Sequence, residues 1–324
     1  MKLLLNVRNK IEQIYKQHNR IAGYVIRLVL CIVVFLTMRG SLNYNTFLSN
    51  IWVIIGISVL TALLKAKFML LVMLAYVVVQ VSTLSIGIGM LVLAMLVLMY
   101  LLYLRYAEEY GIVLILLPLL FTFRIPLVIP LVLGVIAPVS AVVALAFGNI
   151  IYYLVHYINI NSAVISGFPA DMSELNKASM VLRGVFSYKE FLYTLGIMIL
   201  VFLAVYFLKK INVNQSVAIA VFAGAGIYII TMILANLIFG TISVNKLLVT
   251  IFGSLGSLII ALIITNIVLP LDYSRTEMLE FEDEEYYYFV RAVPKANIAK
   301  ETVKVKRINA RKEISNLEKG KEEN

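Results

Sequence analysis

The chain has 324 residues, 62% of them hydrophobic and 14% charged, with a mean hydropathy of +0.95; ordinary soluble domains run about 45–50% apolar and about 25% charged. This excludes a single water-soluble globule and predicts an all-α integral membrane helix bundle with lipid as its outer solvent. The formal charge of +10 sits in short loops between apolar runs, which suits an anionic membrane surface; the basic, aromatic-interleaved stripe of nucleic-acid binders is absent, so no nucleic acid partner is expected.

Residues 1–20 are basic, with Leu4, Val7, Ile11 and Ile14 at helical spacing and Lys10, Lys16 and Arg20 off that stripe. They predict an amphipathic segment lying at the lipid headgroups. The apolar run 21–38 follows, and no small-residue cleavage site comes after it at Thr37-Met38-Arg39. It reads as a retained first span, not a removed signal peptide. Arg27 lies within its first two turns and reaches the headgroups by snorkelling. Cys31, in the same run, is the single cysteine of the sequence and reads as packing. Further spans are predicted at 48–64, with Trp52 near an interface and Lys65 and Lys67 closing it, at 68–81, and at 86–104. Tyr100, Tyr103 and Tyr106 form an interfacial girdle, and Arg105, Glu108 and Glu109 mark water.

The stretch 111–158 is almost wholly apolar yet carries Pro118, Pro126, Pro130, Pro138 and Arg124. Proline removes a backbone donor and clashes with the preceding turn, and a charge inside hydrocarbon is costly. Forty-eight residues are too few for three spans of about 20. The expected arrangement is a broken, re-entrant element: 111–123 enters and returns near Arg124, 125–138 makes a bent segment, and 139–158 completes one crossing. Discontinuous helices of this kind hold substrates or ions in secondary transporters. Arg124, Pro126, Pro130, Pro138 and, from the third span, Gln80 are therefore the candidate transport residues. The competing reading puts Arg124 at a cytoplasmic turn among headgroups. For Gln80, Asn149, Thr231, Asn236 and Asn266 it is an interhelical hydrogen bond.

Segment 159–190 is more polar and is predicted to lie outside. Its Asp171 and Glu174 share one face if helical, either as a cation or acid–base pair or as a solvated helix face. Spans at 191–208, 216–239 and 247–269 complete a transmembrane domain over 21–270, about eight crossings plus the broken element. Small residues around Ala220, Gly224, Gly253 and Ser257 suit close helix packing. With the N-terminus inside, and Arg124 counted inside, loop Lys and Arg number eleven on the inner side against five on the outer. The positive-inside rule then places both termini in the cytoplasm of a multi-pass cell-membrane protein.

Residues 271–324 form a polar cytoplasmic tail. Two β-rich runs, 276–281 and 286–293, flank an acidic turn at 282–285, which predicts a β-hairpin. Residues 302–306 suggest a third strand, and Ala310, Ile314 and Leu317 a short helix. Exposed Tyr286, Tyr287 and Tyr288 are candidate contacts for a cytoplasmic protein partner or for a second copy of the chain. The two histidines are not at metal-ligand spacing, and no nucleotide, metal or hydrolase motif is present. No cofactor and no enzymatic activity are expected. The tail, with its acidic turn, tyrosine run and Val-Arg-Ala-Val-Pro-Lys ending at Lys295, resembles the cytoplasmic end of a family of polytopic membrane proteins from anaerobic Gram-positive bacteria. The proline-rich stretch 124–153 is similar as well. The resemblance implies a multi-pass fold, brings loose permease labels without an established activity, and carries over no catalytic or binding residue. The expected function is a permease-like protein or the membrane subunit of a transporter; the alternative is a non-catalytic membrane scaffold of an envelope or cell-division assembly.

Overall fold

A computed structural model describes residues 19–104, 110–168, 172–211, 215–240, 244–268, 277–282 and 286–292. The basic segment before residue 19, Asp171, the loop around Arg105 and Glu109, and the third strand and helix expected after residue 300 lie outside the described residues. The chain divides into two compact units, 1–269 and 270–324.

The first unit is a helix bundle. Its elements are α1 (Asn19–Ser41), α2 (Ile51–Ala62), α3 (Ala66–Leu84), α4 (Ile86–Met99, ending in a π turn at Tyr100–Leu104), α5 (Val113–Thr122), α6 (Val128–Ile136), α7 (Ala141–Ile160), the short α8 (Ser162–Ser166), α9 (Glu174–Ser187), α10 (Lys189–Leu208), α11 (Ser216–Phe239) and α12 (Val244–Val268). Among the described residues, seven helices are long and apolar enough to cross a membrane. They correspond to α1, α3, α4, α7, α10, α11 and α12.

The remaining expected span is shorter than the sequence suggests. The apolar run 48–64 yields only α2, whose 12 residues extend about 18 Å against a hydrocarbon layer of about 30 Å. Local polar groups set its ends. The Asn50 side chain accepts from the Trp52 amide and caps the start. At the far end Arg27 donates from Nη1 to the Leu64 carbonyl at 2.9 Å and from Nε to Gly23 O at 3.1 Å. Arg27 therefore covers the carbonyl end of α2, where the helix dipole favours a cation.

Lipid gives helices no hydrophobic reason to associate, so close packing and hydrogen bonds must hold them. Gly134 of α6 and Gly224 of α11 both abut Val205 of α10, and Gly148 of α7 abuts Leu117 of α5. Apolar side chains fill much of the interior around them: Leu114, Leu117, Leu127, Leu131, Met198 and Phe202 are fully buried.

The broken element is present. α5 and α6 have 10 and 9 residues, about 15 and 13.5 Å, each roughly half a hydrocarbon layer. Pro118 lies inside α5. Pro130 falls in the first turn of α6, where a missing N–H costs no helical bond. Ala137, extended at φ −91° and ψ 160°, precedes Pro138, as the proline ring requires, and ends α6. Lys209, at the end of α10, donates to Val135 O at 2.8 Å, so the base of this helical hairpin lies at the α10 C-terminal end. Its tip carries Arg124 and shares a cavity with Glu190 of the first α10 turn. The loop charge count expects Arg124 on the same side as Lys209. It lies instead at the tip of the hairpin, away from Lys209, because α5 runs alongside α7 as far as Tyr152 before it turns.

The second unit contains the expected hairpin. β1 (Glu277–Glu282) pairs antiparallel with β2 (Tyr287–Ala292), with Leu279 opposite Val290 and Phe281 opposite Tyr288. Cross-strand partners share a face, so these four form one apolar face. Each is at least partly exposed.

Candidate functional site

The turn between the half-helices is unusual. The Ile125 amide donates to Leu120 O at 2.9 Å and the Arg124 amide to Phe121 O at 3.1 Å. This is the Schellman pattern, whose central position is left-handed and normally glycine. Here it is Arg124, at φ 64°. A side chain in that conformation is disfavoured, so the position retains arginine against the local backbone preference. Such outliers concentrate where a side chain has work to do.

Arg124 opens onto a cavity of about 370 Å³. Pro126 and Leu127, at the entry to α6, are beside it, so the positive end of the α6 dipole adds to the arginine charge. The α7 wall presents Tyr152 and His156, stacked with Phe121 of α5. Ring centroids are 4.1 Å apart for Phe121–Tyr152 and 5.4 Å for Tyr152–His156. Tyr153 closes the seam between α7 and α10 by a 3.0 Å hydrogen bond to Thr194 Oγ1. α10 contributes Glu190 and Tyr193, α11 Tyr228, and α12 Thr250 and Ser254. Gly253 lets α12 reach the tip, since a Cβ there would strike the Arg124 carbonyl.

Charge is uneven within this space. Arg124 is at the hairpin tip and Glu190 at the first turn of α10, and among the described residues no ion pair joins them. Burial, followed by the Glu190 carboxylate beside it, pushes the Tyr188 hydroxyl up to about 12. A second, smaller cavity of about 80 Å³ lies between α1, α3, α5 and α7 and shares Thr122, Tyr152 and His156 with the first. Asn149, one turn before Tyr152 on α7, is fully buried, and its amide N and O have no partner among the described residues.

Of the candidate residues, Arg124 and Pro126 meet in the cavity. Pro130 and Pro138 shape the return helix and do not line it. Gln80 is elsewhere: its Oε1 accepts from the amides of Tyr44 (3.2 Å) and Asn45 (2.9 Å), and its Nε2 donates to Ser49 Oγ and Tyr76 Oη. Fully buried, it fastens the α1–α2 connection to α3. Tyr286 and Tyr287 are well exposed on the hairpin at 63% and 72%, and Tyr288 less so at 44%.

Sequence reasoning missed Tyr152, His156, Glu190, Tyr193 and Thr250. A signal existed for the first four. Tyr152 and His156 are four apart on α7, and Glu190, Tyr193 and Thr194 lie at helical spacing on α10. Each set puts polar groups on one face of an otherwise apolar helix. No protein family, curated protein or solved structure matches this chain.

Proposed function

We propose that the protein is permease-like, a transporter of small solutes or the membrane subunit of one, and that the cavity at the hairpin tip is its binding site. The observation that carries this reading is the pair of half-helices meeting at Arg124 beside a polar cavity of about 370 Å³. Interrupted helices that aim a charge and a helix end into a cavity are how membrane proteins hold polar solutes at depth. In this reading α2 crosses with help from its flanking turns, giving eight crossings plus the re-entrant hairpin, in the cell membrane. With Arg124 removed from the loops, Lys and Arg number ten against five, which still favours cytoplasmic termini. The cavity then opens toward the outer face.

Thiol accessibility tests this without a known substrate. In a Cys31→Ser background, Thr250→Cys and Ser254→Cys are exposed to a membrane-impermeant thiol reagent, first in intact cells and then in inverted vesicles. Labelling from outside, and a measurable rate from inside, is the expected result. Cysteines silent from both sides sink the binding site, and labelling from one side alone sinks the transport step.

A second reading, the membrane scaffold, is favoured by the exposed apolar face of the tail hairpin, with Phe281 and Tyr288 at 54% and 44% exposure. Deleting residues 271–324 then removes co-purifying partners while the spans still insert. Unchanged co-purification ends that reading.

A further inference from the structure

We propose that the cavity takes a zwitterionic small molecule, its acidic group on Arg124 and its ammonium toward Glu190. This rests on the reading of the cavity as the binding site and names what it would hold.

Arg124 and Glu190 line one space of about 370 Å³, within the usual range for small-molecule sites, and among the described residues they form no ion pair. The Arg124 backbone is set by the left-handed turn of the hairpin, and Glu190 belongs to the first turn of α10, where the helix dipole favours a negative charge. Opposite charges lining one cavity select a ligand whose own charges complement both. A simple anion satisfies Arg124 and is repelled by Glu190, and a simple cation has the reverse fault. A molecule carrying both charges compensates both, and the mismatch of the others supplies specificity. Tyr152, Tyr193 and Tyr228 line the same space. Their rings cover an apolar or aromatic body, and their faces favour an ammonium group.

The test uses the full-length protein in lipid nanodiscs and three probes sharing one ring: L-phenylalanine, hydrocinnamate, which lacks the amine, and phenethylamine, which lacks the carboxylate. L-Phenylalanine is expected to bind about tenfold or more tightly than either analogue, the scale of one charge-assisted contact. Arg124→Gln and Glu190→Gln each weaken it by about tenfold or more. Arg124→Gln weakens hydrocinnamate and not phenethylamine; Glu190→Gln does the opposite. Variant folding is followed by size-exclusion profile, with Arg124→Lys, which keeps the charge, standing in if the glutamine variant misfolds. Hydrocinnamate within about threefold of L-phenylalanine, a Glu190→Gln variant with unchanged binding, or no binding of any probe overturns the proposal. Cavity cysteines that still react from both sides then show that the transport reading survives the failure of this one.

Discussion

The carboxylate of Glu174 stands 2.6 Å from the backbone nitrogen of Gly87, so that a side chain of α9 caps the first turn of α4. Ser85, the residue at the α4 N-cap, makes no capping bond of its own. Its hydroxyl donates to the same Glu174 oxygen at 3.1 Å, while Lys177 holds the other oxygen at 2.6 Å. A Cβ at Gly87 would collide with Glu174. The missing side chain is what lets α9 approach, and the free amides of a helix start are what it finds there.

This joint responds to acid. The Lys177 ammonium, and next the Gly87 amide, hold the Glu174 carboxyl below its ordinary value of 4.5. A group whose pKa is lower in the folded state contributes stability above its unfolded value and loses it as pH falls through the folded one. The α9–α4 joint is therefore intact at neutral pH and weakens below pH 4.5. Hydrogen exchange at the Gly87 and Gly89 amides, compared between neutral and acidic buffer, reads this out. Glu174→Gln loses protection at every pH and flattens the dependence, and Gly87→Ala opens the joint by collision with the carboxylate intact. Protection that stays constant into acid refutes the assignment.

Gln80 separates architecture from binding. Gln80→Leu deprives the Tyr44 and Asn45 amides of their acceptor and the Ser49 and Tyr76 hydroxyls of their donor, and unsatisfied buried polar groups cost about 1–3 kcal/mol each. Thermal unfolding in detergent is expected to show a loss of about 2 kcal/mol or more, with probe binding at the cavity unchanged in the surviving folded fraction. Reduced affinity without reduced stability would return Gln80 to the site.

How much of this was legible in the sequence depends on the kind of signal. Lipid-length apolar runs mark the long helices because hydropathy is additive along a window. The interruption is legible because Pro126 and Pro138 forbid continuous helix whatever surrounds them. The length of α2 is not legible from hydropathy, since the Asn50 cap and the Arg27 bond to Leu64 O are local and tertiary hydrogen bonds. The partners of Gln80 include two backbone amides, which no residue pattern announces. Arg124 stands out by its charge, but its side of the bundle depends on where α5 packs against α7. The cavity depends on the convergence of six helices around the hairpin turn, and its tyrosines are individually ordinary.

Two glycines on neighbouring helices should respond oppositely to the same change. At Gly253 an added methyl would strike the Arg124 carbonyl, whereas at Gly226 nothing lies within 4 Å. Gly226→Ala is expected to stabilise by about 0.5–1 kcal/mol, because alanine loses less backbone freedom in a helix. Gly253→Ala is expected to destabilise by about 1–3 kcal/mol through overpacking against backbone and to weaken binding by displacing the hairpin tip. Detergent melting curves and probe titrations on the two variants check both signs; equal shifts would mean that α12 does not press on the turn.

Arg124→Gly is the sharpest separation of stability from function. The position is left-handed at φ 64°, and glycine adopts that conformation without the penalty of about 1–2 kcal/mol that a side chain meets. The substitution also completes the glycine-centred helix end that the Leu120 and Phe121 hydrogen bonds already form. Melting temperature should therefore rise, by the equivalent of about 1 kcal/mol, while binding of the carboxylate-bearing probes disappears and thiol access to Thr250→Cys persists. A melting temperature that falls instead would show that the guanidinium itself holds the hairpin tip in place, making Arg124 a structural residue and removing the strongest reason to see a ligand site there.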